Sequence, residues 1–378
     1  MPSQNKDIPH ILHIFSSFGK GGVPIKICHM INHFGAGAKH TIIATNNDYS
    51  SKDIIDKKND VIFVDQKKSA PASFIKRIMN YRSYLKSISP DLVLTYNWGA
   101  IEWALANSFK PSFRHIHVES GFGPDEVKKT LFRRNIFRRL ALRNTDYICV
   151  PSKVLINICR SDWHIPDYKI HYIPNGVDIE KFANSKASYK IDNFIKQNDE
   201  IIVGTIAPLR PEKNISQMIR SFNQVLTNYP DLKTRLLIMG EGVERPKLDT
   251  LVEDLKIKDK VIFTGHISKQ EQAIGACDIF AISSDTEQMP NSVNEAMAAG
   301  LPIVGFAVGD IKHMVSEENK KFIVMPNDEQ AFSNAIATLA LDKKQQKSIS
   351  VANLQHVKTH YNRTDMCDKY ATLWGLSN

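Results

Sequence analysis

No run of apolar residues in this chain approaches the roughly 20 needed to span a bilayer, and the first ten residues, MPSQNKDIPH, are polar and lack the apolar core of a secretory signal. A cytosolic protein is expected. Cysteine is scarce: the five residues, at 28, 149, 159, 277 and 367, are odd in number, scattered and without paired spacing. That argues against a disulfide framework and for reduced, mostly buried thiols. No His-x-x-x-His zinc spacing comes with a catalytic glutamate. Internal repeats and low-complexity segments are also lacking, which removes solenoids and long linkers.

What is present is ordinary for a soluble globular protein, with 42% hydrophobic and 24% charged residues. At 378 residues the chain exceeds the usual single core, so two domains are the default. Short apolar, β-branched-rich runs at Ile11 to Phe15, Thr41 to Thr45, Val61 to Val64, Leu92 to Tyr96, His115 to Val118 and Tyr147 to Val150 are separated by helix-length segments. This pattern predicts an α/β fold with a parallel sheet covered on both faces. It restarts with Ile201 to Ile206, Leu236 to Met239, Val261 to Thr264, Ile279 to Ile282, Pro302 to Gly305 and Phe322 to Val324. Between the two series, Pro174-Asn175-Gly176 marks a linker. The expected division is 1–172 and 173–355, both Rossmann-like and doubly wound, with a last helix in 356–378 crossing back to the first domain. Two such domains facing each other would bring the carboxyl ends of both sheets to one cleft.

The segment Ser283 to Gly300, SSDTEQMPNSVNEAMAAG, carries the densest chemistry. Glu287 falls in the loop after strand 279–282, and Glu295 one turn into a helix expected from Ser292 to Ala299 and stopped by Gly300 and Pro302. Two readings are open. Ser292-x-x-Glu295 is a capping box, which needs no ligand; alternatively the free N–H groups at the helix start receive an anion, with two carboxylates at hand for hydroxyls.

The loop Phe18-Gly-Lys-Gly21-Gly22 follows the first strand. Pro24 stands where a dinucleotide fingerprint needs its third glycine, and no Walker Gly-Lys-Ser/Thr follows, which disfavours hydride transfer. Gly21 and Gly22 let the backbone approach a ligand at the start of helix 23–33, or they form a tight turn with no ligand. Arg210 and Lys213 lie on the loop after strand 201–206.

Glu287-Gln-Met-Pro290-x4-Glu295-Ala-Met-Ala-Ala-Gly300-Leu-Pro302 resembles the carboxyl-terminal signature of the retaining glycosyltransferases of family four, with Gln288 where the family usually has glycine. Ile173-Pro-Asn-Gly-Val-Asp178 is similar to that family's interdomain junction, Val203 to Asn214 to its donor diphosphate loop, and Leu236 to Gly242 and Val261 to Gly265 continue the series in the same order. The resemblance covers nearly the whole chain and implies the GT-B architecture and a nucleotide-sugar donor. It implies that Lys213 meets the diphosphate, with Arg210 substituting for the usual arginine, whose place Pro208 occupies. It further implies that Glu287 meets the transferred sugar, that Glu295 takes the ribose hydroxyls, and that Pro290 with the amides of Asn291, Ser292 and Val293 forms the diphosphate cradle. Retention of configuration follows from membership. The chain has no Asp-x-Asp motif of the metal-dependent glycosyltransferases, so neither a metal nor another cofactor is expected; the nucleotide-sugar is a co-substrate.

On the acceptor side, His115-Ile-His117-Val-Glu119-Ser120-Gly121 runs from a strand into a glycine-bearing loop. The family's histidine position corresponds to Ser120, and His117 or Glu119 is a candidate for its role, together with Asn97 after strand 92–96; a histidine within a strand is otherwise a satisfied core residue. Net charge is +9, and Val127 to Arg143 holds Lys128, Lys129, Arg133, Arg134, Arg138, Arg139 and Arg143 with no acid, leaving the rest of the chain nearly neutral. This segment is either a helix on an anionic membrane surface or a helix packed partly inside with its arginines at the rim. The expected function is transfer of a sugar, most plausibly from a UDP-sugar, to a saccharide or lipid-linked saccharide of a surface polysaccharide. A nucleotide-sugar epimerase or phosphorylase on the same fold is the alternative. Nucleic acid is not an expected partner, because the basic residues are confined to one segment without a reading module.

Overall fold

The computed structural model describes residues 8–65, 73–126, 130–184, 191 and 194–376. The chain divides into two compact units, Met1–Pro174 with Met366–Asn378, and Asn175–Asp365. In the first, β1 (His10–Phe15), α1 (Gly22–Phe34), β2 (Lys39–Ala44), β3 (Val61–Val64), α2 (Phe74–Ile88), β4 (Leu92–Tyr96), α3 (Ile101–Ser108), β5 (Arg114–Val118), α4 (Phe132–Ala141), β6 (Tyr147–Val150), α5 (Lys153–Ser161) and β7 (Ile170–Tyr172) alternate. The strands form one sheet in the order β3-β2-β1-β4-β5-β6-β7, and every pairing is parallel. Helices cover both faces, so strands such as Leu92–Tyr96 are buried along their whole length and read as unbroken apolar runs. The order reverses at β1, which has β2 on one side and β4 on the other, and the loops after β1 and β4 therefore leave the sheet at its switch point.

The second unit holds α6 (Ile179–Ala183), β8 (Ile201–Ile206), α7 (Ile215–Asn228), β9 (Thr234–Met239), α8 (Arg245–Asp254), β10 (Val261–Gly265), α9 (Gln270–Ala273), β11 (Ile279–Ile282), α10 (Asn291–Ala298), β12 (Ile303–Phe306), α11 (Ile311–Met314), β13 (Ile323–Val324), α12 (Glu329–Leu341) and α13 (Lys343–His360). Its sheet runs β10-β9-β8-β11-β12-β13, again parallel. The reversal falls between β8 and β11, so the loops after these two strands are neighbours. On the far side of β11, Asn319 is buried and its side chain bonds both the N–H and the carbonyl of Ile303, at 2.8 and 2.6 Å.

One strand was not expected: β7, an edge strand of three residues, breaks the apolar pattern at His171. The return to the first unit comes at Met366, inside the segment 356–378, while α13 continues the second unit: its Asn353 is buried and donates to the Leu301 carbonyl at 2.9 Å and to Asn319 Oδ1 at 2.7 Å. α14 (Arg363–Trp374) then supplies Met366, Cys367, Tyr370 and Trp374 to the core around β1, β4 and β6.

Candidate active site

β11 ends at Ile282, and the loop beyond it, which starts at Ser283, is tied to the loop beyond β8 at several points. Ser283 Oγ donates to the carbonyls of Lys213 and Asn214, each at 3.0 Å. The Asp285 N–H donates to the Glu212 carbonyl at 2.9 Å, and Asn214 Nδ2 donates to Asp285 Oδ1 at 2.7 Å. Asn214 adopts a left-handed conformation, with φ 45°, and its side chain caps α7, a role that asparagine fills at low cost. With both backbones fixed in this way, Lys213 Nζ lies 2.5 Å from Glu287 Oε1, and the same oxygen accepts from Ser284 Oγ at 2.8 Å.

The loop after β12 fixes Glu287 from behind. A Cβ at Gly309 would stand 2.1 Å from the Glu287 carbonyl oxygen, and Gly309 has φ +53°, so both space and backbone conformation require glycine there. The Asp310 N–H donates to the Gln288 carbonyl at 2.9 Å. Gln288 itself is not among the residues of positive φ; the path after Glu287 therefore does not need the glycine that the sequence comparison expects.

α10 begins at Asn291 with Pro290 as its N-cap and no side-chain cap. The capping box from Ser292 to Glu295 is not formed, because the helix starts one residue earlier and Ser292 lies inside it. The Val293 N–H reaches the Pro290 carbonyl at 3.2 Å, whereas no side chain caps the first turn. Asn175 holds this turn in place: its Nδ2 donates to the Met289 carbonyl at 3.1 Å, and its own carbonyl accepts from Asn294 Nδ2 at 2.8 Å. Glu295, half-buried, is pushed up to about 7 by burial, with Lys181 pulling it down and Glu271 pushing it up; those two pair with each other at 3.5 Å.

Arg210 does not join this group. Its side chain is 65% exposed and its partner is Glu212, at 4.0 Å, because the Pro211–Lys213 turn swings Lys213 inward and leaves Arg210 outside. Among the described residues, no three His, Cys, Asp or Glu side chains are placed to hold a metal ion. Ser283, Ser284, Asn214, Gly309 and Asn175 were not singled out by the sequence. Two serines at a strand end and an asparagine before a helix are the signals that could have found the first three; Gly309 carries none.

In the first unit, Gly21 caps α1 through its backbone alone, Gly21 and Gly22 are exposed, and a Cβ at Gly21 would meet only Pro24, at 3.9 Å. Asn97, with φ 53°, accepts the Ser120 N–H on its Oδ1 at 2.8 Å, so the loops after β4 and β5 are joined at two half-buried residues. His117 and Glu119 are fully buried. They do not line an accessible surface, which corrects the expectation that they meet an acceptor directly. His117 points along the sheet face, its Nδ1 2.8 Å from Thr95 Oγ1, and Glu119 turns toward α4, its Oε2 3.8 Å from Arg138 Nε.

The basic segment forms α4, and Val127, Lys128 and Lys129 lie outside the described residues. Arg138 is buried and Arg134 pairs with Asp125 and Glu126 at 2.9 and 3.1 Å. Arg133, Arg139 and Arg143 are exposed. The helix is packed partly inside, with some of its arginines at the rim. Its outer side also exposes Phe132, Ile136 and Leu140, four residues apart and hence stacked on one face.

Two Rossmann-like units with parallel sheets, and a lysine–carboxylate pair between the strand ends at the switch point of the second, define the class of GT-B glycosyltransferases. The chain belongs to glycosyltransferase family 4: residues 21–181 match the family description "Glycosyltransferase Family 4" and residues 189–355 match "Glycosyl transferases group 1". It is similar to the alpha-monoglucosyldiacylglycerol synthase of Acholeplasma laidlawii, 25% identical over 280 residues that cover 70% of this chain and 69% of the relative. It is likewise 25% identical to the UDP-Gal:alpha-D-GlcNAc-diphosphoundecaprenol alpha-1,3-galactosyltransferase of Escherichia coli, over 235 residues that cover 60% of each. Among solved structures, the sucrose-phosphate synthase of Thermosynechococcus elongatus superposes with a TM-score of 0.78 at 20% identity, covering 97% of this chain and 98% of the other. The Anabaena protein HepE in complex with UDP and glucose gives 0.77 at 17% identity, covering 97% and 99%.

Proposed function

We propose that this glycosyltransferase moves a hexosyl group, with retention of configuration and without a metal ion, from a UDP-sugar to a saccharide or lipid-linked saccharide acceptor in the synthesis of a surface polysaccharide such as lipopolysaccharide. The observation that carries this reading is the Lys213–Glu287 pair at 2.5 Å, its glutamate four residues before a helix start that no side chain caps. A departing nucleoside diphosphate gains negative charge in the transition state, and a fixed ammonium with the amides of Asn291, Ser292 and Val293 lowers the barrier by meeting that charge. Glu287 then accepts from hydroxyls of the transferred sugar and Glu295 from the ribose, while the acceptor attacks from the face that the diphosphate leaves. The solved likeness that holds UDP and glucose and the relative named for UDP-Gal and a diphosphoundecaprenol acceptor support the donor and acceptor classes.

Melting the protein in the presence of a panel of nucleotide diphosphate sugars, followed by product analysis with and without acceptor, tests the reading. A UDP-sugar at about 100 times its Kd stabilises the native state by about 2.7 kcal/mol and raises the melting point. Products then appear only when acceptor is present and keep the anomeric configuration of the donor. Conversion of donor without acceptor would instead identify an epimerase or phosphorylase.

The same proposal places the enzyme in the cytoplasm, peripheral on the inner face of the membrane, through α4. Among the described residues no helix is long and apolar enough to cross a membrane. The ridge Phe132, Ile136 and Leu140, flanked by the exposed Arg133, Arg139 and Arg143, suits the headgroup boundary of an anionic bilayer, where each basic residue contributes about 1 kcal/mol. The protein is expected to co-sediment with phosphatidylglycerol vesicles and not with phosphatidylcholine vesicles. Failure to sediment with either ends the membrane claim.

A further inference from the structure

The least accommodated charged group in the first unit is Arg138. Its Nη1 and Nη2 donate to the two oxygens of Glu126 at 2.9 and 2.7 Å. Its guanidinium carbon lies 4.8 Å from the centre of the Trp98 ring and 5.1 Å from those of Phe122 and Trp163. Its Nε finds no hydrogen-bond partner among the described residues, and neither oxygen of the buried Glu119 beside it does. Removing the Arg138 guanidinium and the Glu126 carboxylate from water costs several kcal/mol per ion, and their bidentate pairing offsets only part of that. An apolar side chain would fill this place at lower cost, so a stability role does not account for it.

Apart from Trp163, which follows α5, the partners of Arg138 come from two loops. Trp98 follows Asn97 after β4, whereas Phe122 and Glu126 follow Ser120 after β5. These are the loops that the Asn97–Ser120 hydrogen bond joins at their half-buried end. Glu126 is itself fixed: its carboxylate accepts the Leu131 N–H at 2.9 Å and Arg134 Nη1 at 3.1 Å, which anchors it to the start of α4. Two guanidinium groups of α4 touch both loops: the half-buried Arg134, 4.9 Å from the Trp98 ring centre and paired with Asp125 and Glu126, and Arg138, which is the fully buried one and the one that spans both Glu126 oxygens.

We infer that Arg138 is a positioning residue for the acceptor, holding the loops after β4 and β5 against α4 so that Asn97 and Ser120 keep their mutual placement. This rests on the proposal that those two residues face the acceptor. Arg138 does not touch substrate; it acts through Trp98, Phe122 and Glu126. A planar fork satisfies both carboxylate oxygens and lies flat against rings, and a lysine ammonium does neither.

The test compares Arg138→Lys and Glu126→Gln with the unmodified protein. In both variants, amide hydrogen exchange in 97–99 and 120–126 is expected to accelerate about tenfold or more while the β1 and β8 amides stay protected. The KM for acceptor rises about tenfold, with donor KM and the donor Kd measured without acceptor within about twofold of the original. Glu126→Gln carries the test if Arg138→Lys does not fold. Loss of donor and acceptor parameters together, or exchange in the two loops that does not change, overturns the positioning role. Asn97→Ala separates the layers: an effect of that variant on acceptor KM without one from Arg138→Lys refutes the inference alone, whereas no effect from Asn97→Ala removes the acceptor reading and the inference with it.

Discussion

Replacing Lys213 by alanine is expected to lower turnover by about 10² to 10³, or about 2.7 to 4 kcal/mol of transition-state stabilisation, with little change in melting temperature. The backbone around Lys213 does not depend on its side chain. The Lys213 N–H is bonded to the Arg210 carbonyl, the Lys213 carbonyl accepts from Ser283, and Glu287 retains Ser284 Oγ at 2.8 Å. What the variant removes is a cation whose contribution is greatest when the diphosphate departs, so kcat falls more than donor KM rises. Arg210→Ala, by contrast, removes a side chain 65% exposed and costs far less. Single-turnover transfer with saturating donor checks this, and an unchanged rate for Lys213→Ala would refute the assignment.

Acidification is the second large effect, and it acts on the two units in opposite directions. In the first, His13 Nε2 and His40 Nδ1 face each other at 2.9 Å, with His13 Nδ1 2.9 Å from the Tyr96 hydroxyl. Burial, helped by the neighbouring histidines, lowers His13 well below its ordinary value and His40 to about 4. His115, between Thr95 and Thr145, is lowered to about 3 by burial and by His117. An unfolded chain takes up protons on these groups as pH falls through about 6.5, whereas the folded unit does not, so stability is complete above that pH and declines below it. The slope is about 1.4 kcal/mol per pH unit for each histidine, enough for a loss on the order of 6 kcal/mol by pH 5. Carboxylates add nothing to this window: Glu126, although burial raises it, is brought to about 2 by Arg138, the Leu131 amide and Arg134, so its contribution is lost only below about pH 4.3. In the second unit Glu295, at about 7, protonates first in the folded state and gains stability over the same range. Calorimetry at pH 7.5 and pH 5.0 should show a transition that moves to lower temperature and is assigned by proteolysis to the first unit, Met1–Pro174 with Met366–Asn378. A first unit equally stable at both values would contradict the buried neutral histidines.

Most of the architecture was legible in the sequence because parallel strands covered on both faces are apolar at every position. Val61–Val64, Leu92–Tyr96, Tyr147–Val150 and Ile279–Ile282 run where the pattern puts them. β7 was not legible because three residues, Ile170–Tyr172, with His171 in the middle are too few and too polar to stand out, whereas β3, at the opposite edge, is apolar at all four positions. The Lys213 and Glu287 loops could be found through their resemblance to a family signature, but their pairing, across a separation of 74 residues, depends on β8 lying beside β11. The fates of Arg138 and Glu119 were out of reach for another reason. Charge counts place an arginine on a helix without saying which way it faces, and seven basic residues in a row of apolar ones fit either side of α4. Gly309 is legible only in space, where its missing side chain makes room for the Glu287 carbonyl.

The ammonium of Lys213 and the carboxylate of Glu287 satisfy each other. A stray phosphate that offers only negative charge would have to displace Glu287 and leave it without compensation, which is a poor exchange. A sugar nucleotide brings an anionic half for the lysine and a hydroxylated half for the glutamate, so both ends of the opened contact are satisfied at once. Under the proposed function the pair would act as a two-key lock, opened by a ligand that offers both charges a partner and closed to simple anions.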